Sequence, residues 1–132
     1  MPQDRTVPGS PRDWMARAQG DLALAKSPLP EKGFYEDLCY HCQQAAEKAI
    51  KAVYQHKGLT FRYTHDLDDL LTGLNRQAVN VPQDVEEAAV LTNFAWETRY
   101  PGVHEPVTEE EYQEALHQAE QILAWAQQMI SG

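Results

Sequence analysis

The stretch from Phe34 to Lys57 limits the possible folds more than any other part of this chain. Leu38, Cys42, Ala45, Ala46, Ala49, Ile50 and Val53 recur there at helical spacing, which predicts one long amphipathic helix rather than a strand. Several of these residues are small, so a neighbouring helix can approach the axis closely. Gly58 follows at once and is a suitable C-terminal stop. A second row, His41, Gln44, Lys48 and Lys51, projects to the other side of the same helix. A helix with that apolar stripe needs further helices to cover it.

The rest of the chain supplies them. Residues 1–9 read as a loose tail in front of one domain over 10–132. Ser10 offers an N-cap, Pro11 suits the first helical position and Asp13 the first turn. Trp14, Ala18, Leu22 and Ala25 then share one face, so a helix runs to about Lys26, where Pro28 and Pro30 end it. Thr64 is expected to cap a short third helix reaching about Leu74, with Asp66, Asp68 and Asp69 at the positive end of its dipole. A fourth helix is expected from Gln83 to Arg99, carrying Val85, Ala88, Ala89, Thr92, Ala95 and Trp96 on its stripe. Thr108 and Glu111 form a capping box for the last helix, whose apolar face includes Tyr112, Ala115, Leu116, Ala119, Ile122, Leu123, Ala126, Met129 and Ile130. No segment alternates strictly enough for a strand. The expected fold is all-α: an antiparallel, up-and-down four-helix bundle with an additional short helix.

Composition excludes several classes of function. No apolar run is long enough to span a bilayer, and residues 1–9 carry no apolar core of a secretory signal, so a cytoplasmic protein is expected. The net charge of −9 is unevenly spread. Ten acidic and ten basic residues cancel up to Gln83, and the whole excess lies beyond it. Broad electrostatic capture of nucleic acid needs a basic face, which this chain does not advertise. If the chain touches RNA, it should do so locally or with a basic partner's help.

Within that acidic third, Arg99 is the one strong cation, on the continuation of the fourth helix's stripe, and His104 follows beyond Pro101 and Gly102. An imidazole can take the proton from a ribose 2′-hydroxyl, and a guanidinium can stabilise charge on the phosphate under attack. The plain alternative is that Arg99 interacts with the helix dipole and His104 is an ordinary loop residue.

Three segments bear on that choice. Cys39-Tyr40-His41-Cys42-Gln43-Gln44-Ala45-Ala46-Glu47-Lys48-Ala49-Ile50-Lys51-Ala52, Thr64-His65-Asp66-Leu67 and Arg99-Tyr100-Pro101 together resemble the signature of the HEPN family (higher eukaryotes and prokaryotes nucleotide-binding domain), in order and in spacing. The resemblance covers about Asp13 to Met129. It implies a helical bundle that dimerises, and an R-x4-6-H ribonuclease motif occupied by Arg99 and His104. It further implies a toxin-like role opposite a small nucleotidyltransferase antitoxin. The alternative within the family is a non-catalytic subunit that binds a nucleotide or docks a nucleotidyltransferase. Tyr100 follows the arginine, and Pro106 stands where one toxin subgroup has a tyrosine. Phe94, Trp96 and Tyr100 beside Arg99 suit the core of a dimer interface.

The remaining candidates come from the second helix and the segment after it. His41, Lys48 and Tyr100 are candidate substrate or nucleotide contacts, and Glu47 is a candidate to orient Arg99. A solvated helix face is the ordinary account of Lys48 and Lys51. His65 is expected to cap or pack the third helix, and His56 and His117 to lie on the surface. Cys39 and Cys42 have no second cysteine pair to complete a zinc site and suit packing better. No metal and no cofactor is expected.

Overall fold

The structure is a computed structural model, and it describes residues 7–61, 63–89 and 106–131. These contain helices and no strand. Helix α1 spans Pro11–Ala25, α2 Tyr35–Lys57 and α3 Leu67–Arg76. The described part of α4 covers 83–89, and α5 spans Glu109–Ser131. The remainder of the expected fourth helix, with Arg99, Tyr100 and His104, lies outside the described residues.

Local signals set most boundaries. The Ser10 hydroxyl accepts from the Asp13 amide at 3.1 Å, with Pro11 at the first helical position. Gly58 ends α2 in the left-handed region (φ 68°), which costs glycine little and any other residue more. The predicted capping box of α5 is formed in both directions. The Thr108 amide donates to Glu111 at 2.9 Å, and the Glu111 amide donates to Thr108 at 3.1 Å. One expected cap moves. Asp66, not Thr64, is the N-cap of α3, accepting from the Asp68 and Asp69 amides. The Thr64 hydroxyl instead accepts from the Asp66 amide, so two successive side-chain turns lead into the helix, and only the second lies at its first turn.

Helix α2 is the hub. It packs against α1, α5 and α3, while α1 also touches α5. The directions follow from contacts at the ends. Asp21 near the end of α1 meets His41 near the start of α2, so these two run antiparallel. The Tyr112 hydroxyl at the start of α5 donates to the Ala25 carbonyl at 2.6 Å, and its ring stacks on Tyr35 at 5.2 Å. Helix α5 therefore runs against α1 and along α2, as an up-and-down order requires. Every predicted apolar residue of the α2 stripe is buried, joined by Cys39, Ala52 and Tyr54. Trp125 of α5 joins the core as well.

Cys39 and Cys42 are free thiols in that core, and burial pushes both up to about 12. Their surroundings suit packing, and among the described residues no cluster of three or more potential ligands forms a metal site. His56 and His117 are exposed, as expected. Among the described residues, no helix is long and apolar enough to cross a membrane.

Candidate functional site

The polar row of α2 is not a solvated face. Lys51 is only 9% exposed and Glu47 3%. Their ion pair measures 2.8 Å, and the Lys51 ammonium lies 5.5 Å from the Trp14 ring centre and 5.2 Å from that of Phe61. The solvated account of Lys51 is therefore corrected. Trp14 of α1 and Phe61 of the following segment close over it, and a carboxylate plus two aromatic faces replace its water. Lys48 is corrected too. Its ammonium donates to Asp21 of α1 at 2.6 Å and is partly buried.

Asp21 is the residue that the sequence reading missed. It lies on the buried face of α1, between Ala18 and Leu22, with 9% of its surface exposed. One carboxylate oxygen accepts from Lys48, and the other meets His41 Nδ1 at 3.2 Å. A buried carboxylate requires such partners. The available signal was an acid interrupting an apolar stripe, which demands a cation on the opposing helix.

Glu47 repeats this arrangement about one turn further along α2. Lys51 donates to one oxygen, and His65 Nδ1 lies 3.1 Å from both. Gln43, one turn before Glu47, donates from Nε2 to the His65 carbonyl at 2.7 Å. His65 is thus held to α2 through its backbone and its ring, with 55% of its side chain exposed, instead of capping or packing α3. The capping role belongs to Asp66.

The two clusters share one chemistry. A carboxylate can only accept, so in each cluster the ring nitrogen that faces it, Nδ1, is the donor. The lysine beside each carboxylate balances its charge. Of the sequence candidates, the structure brings His41 and Lys48 together on Asp21, and gives Glu47 the partners Lys51 and His65. Arg99, Tyr100 and His104 lie outside the described residues, and with them the expected contact of Glu47 to Arg99.

Elsewhere, a cavity of about 280 Å³ opens beside the loop joining α1 and α2. Leu24, Leu29, Phe34 and Leu38 line it, and His41 stands at its edge.

The bundle thus holds two buried carboxylates, each paired with a lysine and an imidazole, along its central helix. Comparison with known proteins supplies the family. The HEPN domain model matches residues 11–129. The crystal structure of TT1696 from Thermus thermophilus superimposes with a TM-score of 0.78 at 36% identity, covering 90% of this chain and 97% of that one. ST0689, an archaeal HEPN homologue, gives 0.75 at 30% identity, covering 92% and 98%. No curated protein matches. The chain belongs to the HEPN family.

Proposed function

We propose that this chain is a metal-independent ribonuclease, the toxin-like partner of a small nucleotidyltransferase, and that it acts as a homodimer. The observation that carries this reading is the coincidence of two facts. The family model matches nearly the whole helical region, and Arg99 and His104 stand at the R-x4-H spacing within it.

The reaction needs few groups. A base removes the proton from a ribose 2′-hydroxyl, and the oxygen attacks the adjacent phosphorus. The P–O5′ bond breaks, and the departing oxygen takes a proton from an acid. The products are a 2′,3′-cyclic phosphate and a 5′-hydroxyl end. Arg99 stabilises the charge that builds on the phosphate oxygens, a term that is large in a water-poor site, and His104 serves as one of the proton-transfer groups. His41, Lys48 and Tyr100 are the proposed contacts to the RNA.

The test is cleavage of RNA by purified protein in excess chelator, with the ends identified as cyclic phosphate. Arg99→Ala and His104→Ala should each abolish cutting, and expression of the active chain should arrest growth. Intact RNA, with tight binding of a neighbouring nucleotidyltransferase instead, would favour the non-catalytic docking subunit. Sedimentation at micromolar concentration tests the dimer, and a clean monomer would refute it.

A further inference from the structure

We infer that the hollow at the corner between α1 and α2 is a docking site for another protein, which seats one large apolar side chain in it and sets a lysine or arginine against Asp37. This role is independent of RNA cleavage.

Open apolar surface converges at that corner. Leu24 is 51% exposed and Phe34 61%. Scattered singly, such residues would need no explanation. These two come from opposite ends of the α1–α2 loop and line the same cavity of about 280 Å³, together with Leu29 and the buried Leu38. The hollow is built into the backbone. Pro28 and Pro30 fix two φ angles of the loop, and the Gly33 amide donates to the Pro30 carbonyl at 2.9 Å. A β-carbon at Gly33 would stand 2.9 Å from Pro30 Cδ and 3.0 Å from Leu29 Cδ1, so the loop is already closed on itself. A surface formed beforehand costs a partner little ordering entropy.

Size and exposure select the kind of occupant. Small-molecule sites usually enclose about 300–1,000 Å³, and an apolar cavity of about 150 Å³ already accommodates benzene. The hollow therefore suits one aromatic or branched side chain better than a cofactor. A small molecule seated in it would leave much of Leu24 and Phe34 wet, whereas a protein surface around the anchor covers them and excludes water.

Charge selects the anchor's neighbour. Of the polar groups that line the cavity, Ser27 donates its hydroxyl to the Ala23 carbonyl at 3.2 Å. His41 is engaged by Asp21, which Lys48 already balances. Asp37, one turn before His41, is exposed and has no ion-pair partner among the described residues. A carboxylate at the rim of an apolar hollow attracts a cation carried beside the anchor. The same carboxylate repels the phosphates of a nucleic acid. A net charge of −9 likewise favours a basic partner over a second copy of this chain at this surface.

The probe is a short amidated peptide with one phenylalanine flanked by two lysines among alanines, titrated into the full chain and followed by amide NMR shifts. It should move the signals of Gly33, Phe34 and Asp37 at submillimolar concentration. Replacing its phenylalanine by alanine should weaken binding about tenfold. Leu24→Ser and Phe34→Ser should each do the same while keeping Tm within about 2 °C, since both side chains are more than half exposed. Exchanging the peptide's lysines for glutamates should abolish binding, and Asp37→Lys should restore it for that peptide.

Unmoved signals at millimolar peptide would overturn the inference. So would equal binding of the phenylalanine and alanine peptides, wild-type binding by Leu24→Ser and Phe34→Ser, or no rescue by Asp37→Lys. A wild-type dimer that Phe34→Ser dissociates in sedimentation would assign the hollow to a second copy. A short single-stranded RNA that moves the same signals, where the peptide does not, would assign it to nucleic acid. Either result refutes the basic protein partner.

Discussion

Replacing Glu47 by glutamine keeps the shape of the side chain and removes its charge. The Lys51 ammonium would then be left in a site where only 11% of its side chain meets solvent. Breaking a buried pair by removing one partner costs about 3–5 kcal/mol, against 0.2–1 kcal/mol for an exposed pair. The faces of Trp14 and Phe61 retain part of the stabilisation, so the lower end, about 3 kcal/mol, is expected. With an unfolding entropy near 2.1 cal/mol/K per residue, the 132-residue chain has about 280 cal/mol/K at its midpoint, and Tm should fall by about 11 °C. Urea titration followed by circular dichroism measures the loss directly. The decisive control is Glu47→Gln combined with Lys51→Met, which replaces the stranded ammonium by a thioether against the same two rings. That double variant should return to within about 1 kcal/mol of wild type. A loss below about 1 kcal/mol for Glu47→Gln alone would mean that the pair is solvated in practice. Failure of Lys51→Met to restore stability would show that the cost arises elsewhere.

Three further outcomes are expected. Burial raises the Cys39 and Cys42 thiols from an ordinary 9.0 to about 12, so above pH 9 only the unfolded chain releases these protons. Stability should be level below pH 9 and fall between pH 9 and 12 by about 1.4 kcal/mol per pH unit for each thiol; a urea midpoint unchanged from pH 8 to 10.5 would contradict this. Gly73→Ala should destabilise by about 1–3 kcal/mol although alanine is the better helix former, because the added methyl would collide with the Tyr54 hydroxyl; in a Tyr54→Phe background the penalty should shrink. Ala78 holds a left-handed backbone at φ 69°, so Ala78→Gly should raise stability by about 1 kcal/mol, and a drop in Tm would refute that.

What the sequence disclosed and what it concealed divide along a physical line. Ser10 with Pro11, Gly58, and Thr108 with Glu111 were legible because each cap is settled among residues within four positions of one another. The α2 stripe was legible for the same reason, since periodicity alone identifies the buried face. Thr64 misled because two acceptor side chains stand two residues apart, and only geometry decides which one caps the helix. The burial of Lys51 was not legible: Glu47 and Lys51 form the same i, i+4 pair on an exposed helix, and the difference comes from Trp14 and Phe61, which approach from other parts of the chain. Asp21 belongs to the same category, its partners lying twenty and twenty-seven residues away. Arg99 and His104 were legible as a motif, through their spacing and the family resemblance, without any geometry.

The central position of α2 bears on how the molecule is made. Its apolar side is covered partly by α1, which precedes it, and partly by α5, which leaves the ribosome later than the helices it covers. Until then the nascent chain holds a half-open hairpin with alanines and cysteines facing water, and the Ala25 carbonyl awaits the hydroxyl of Tyr112. Productive folding of this bundle is therefore deferred until α5 has been synthesised.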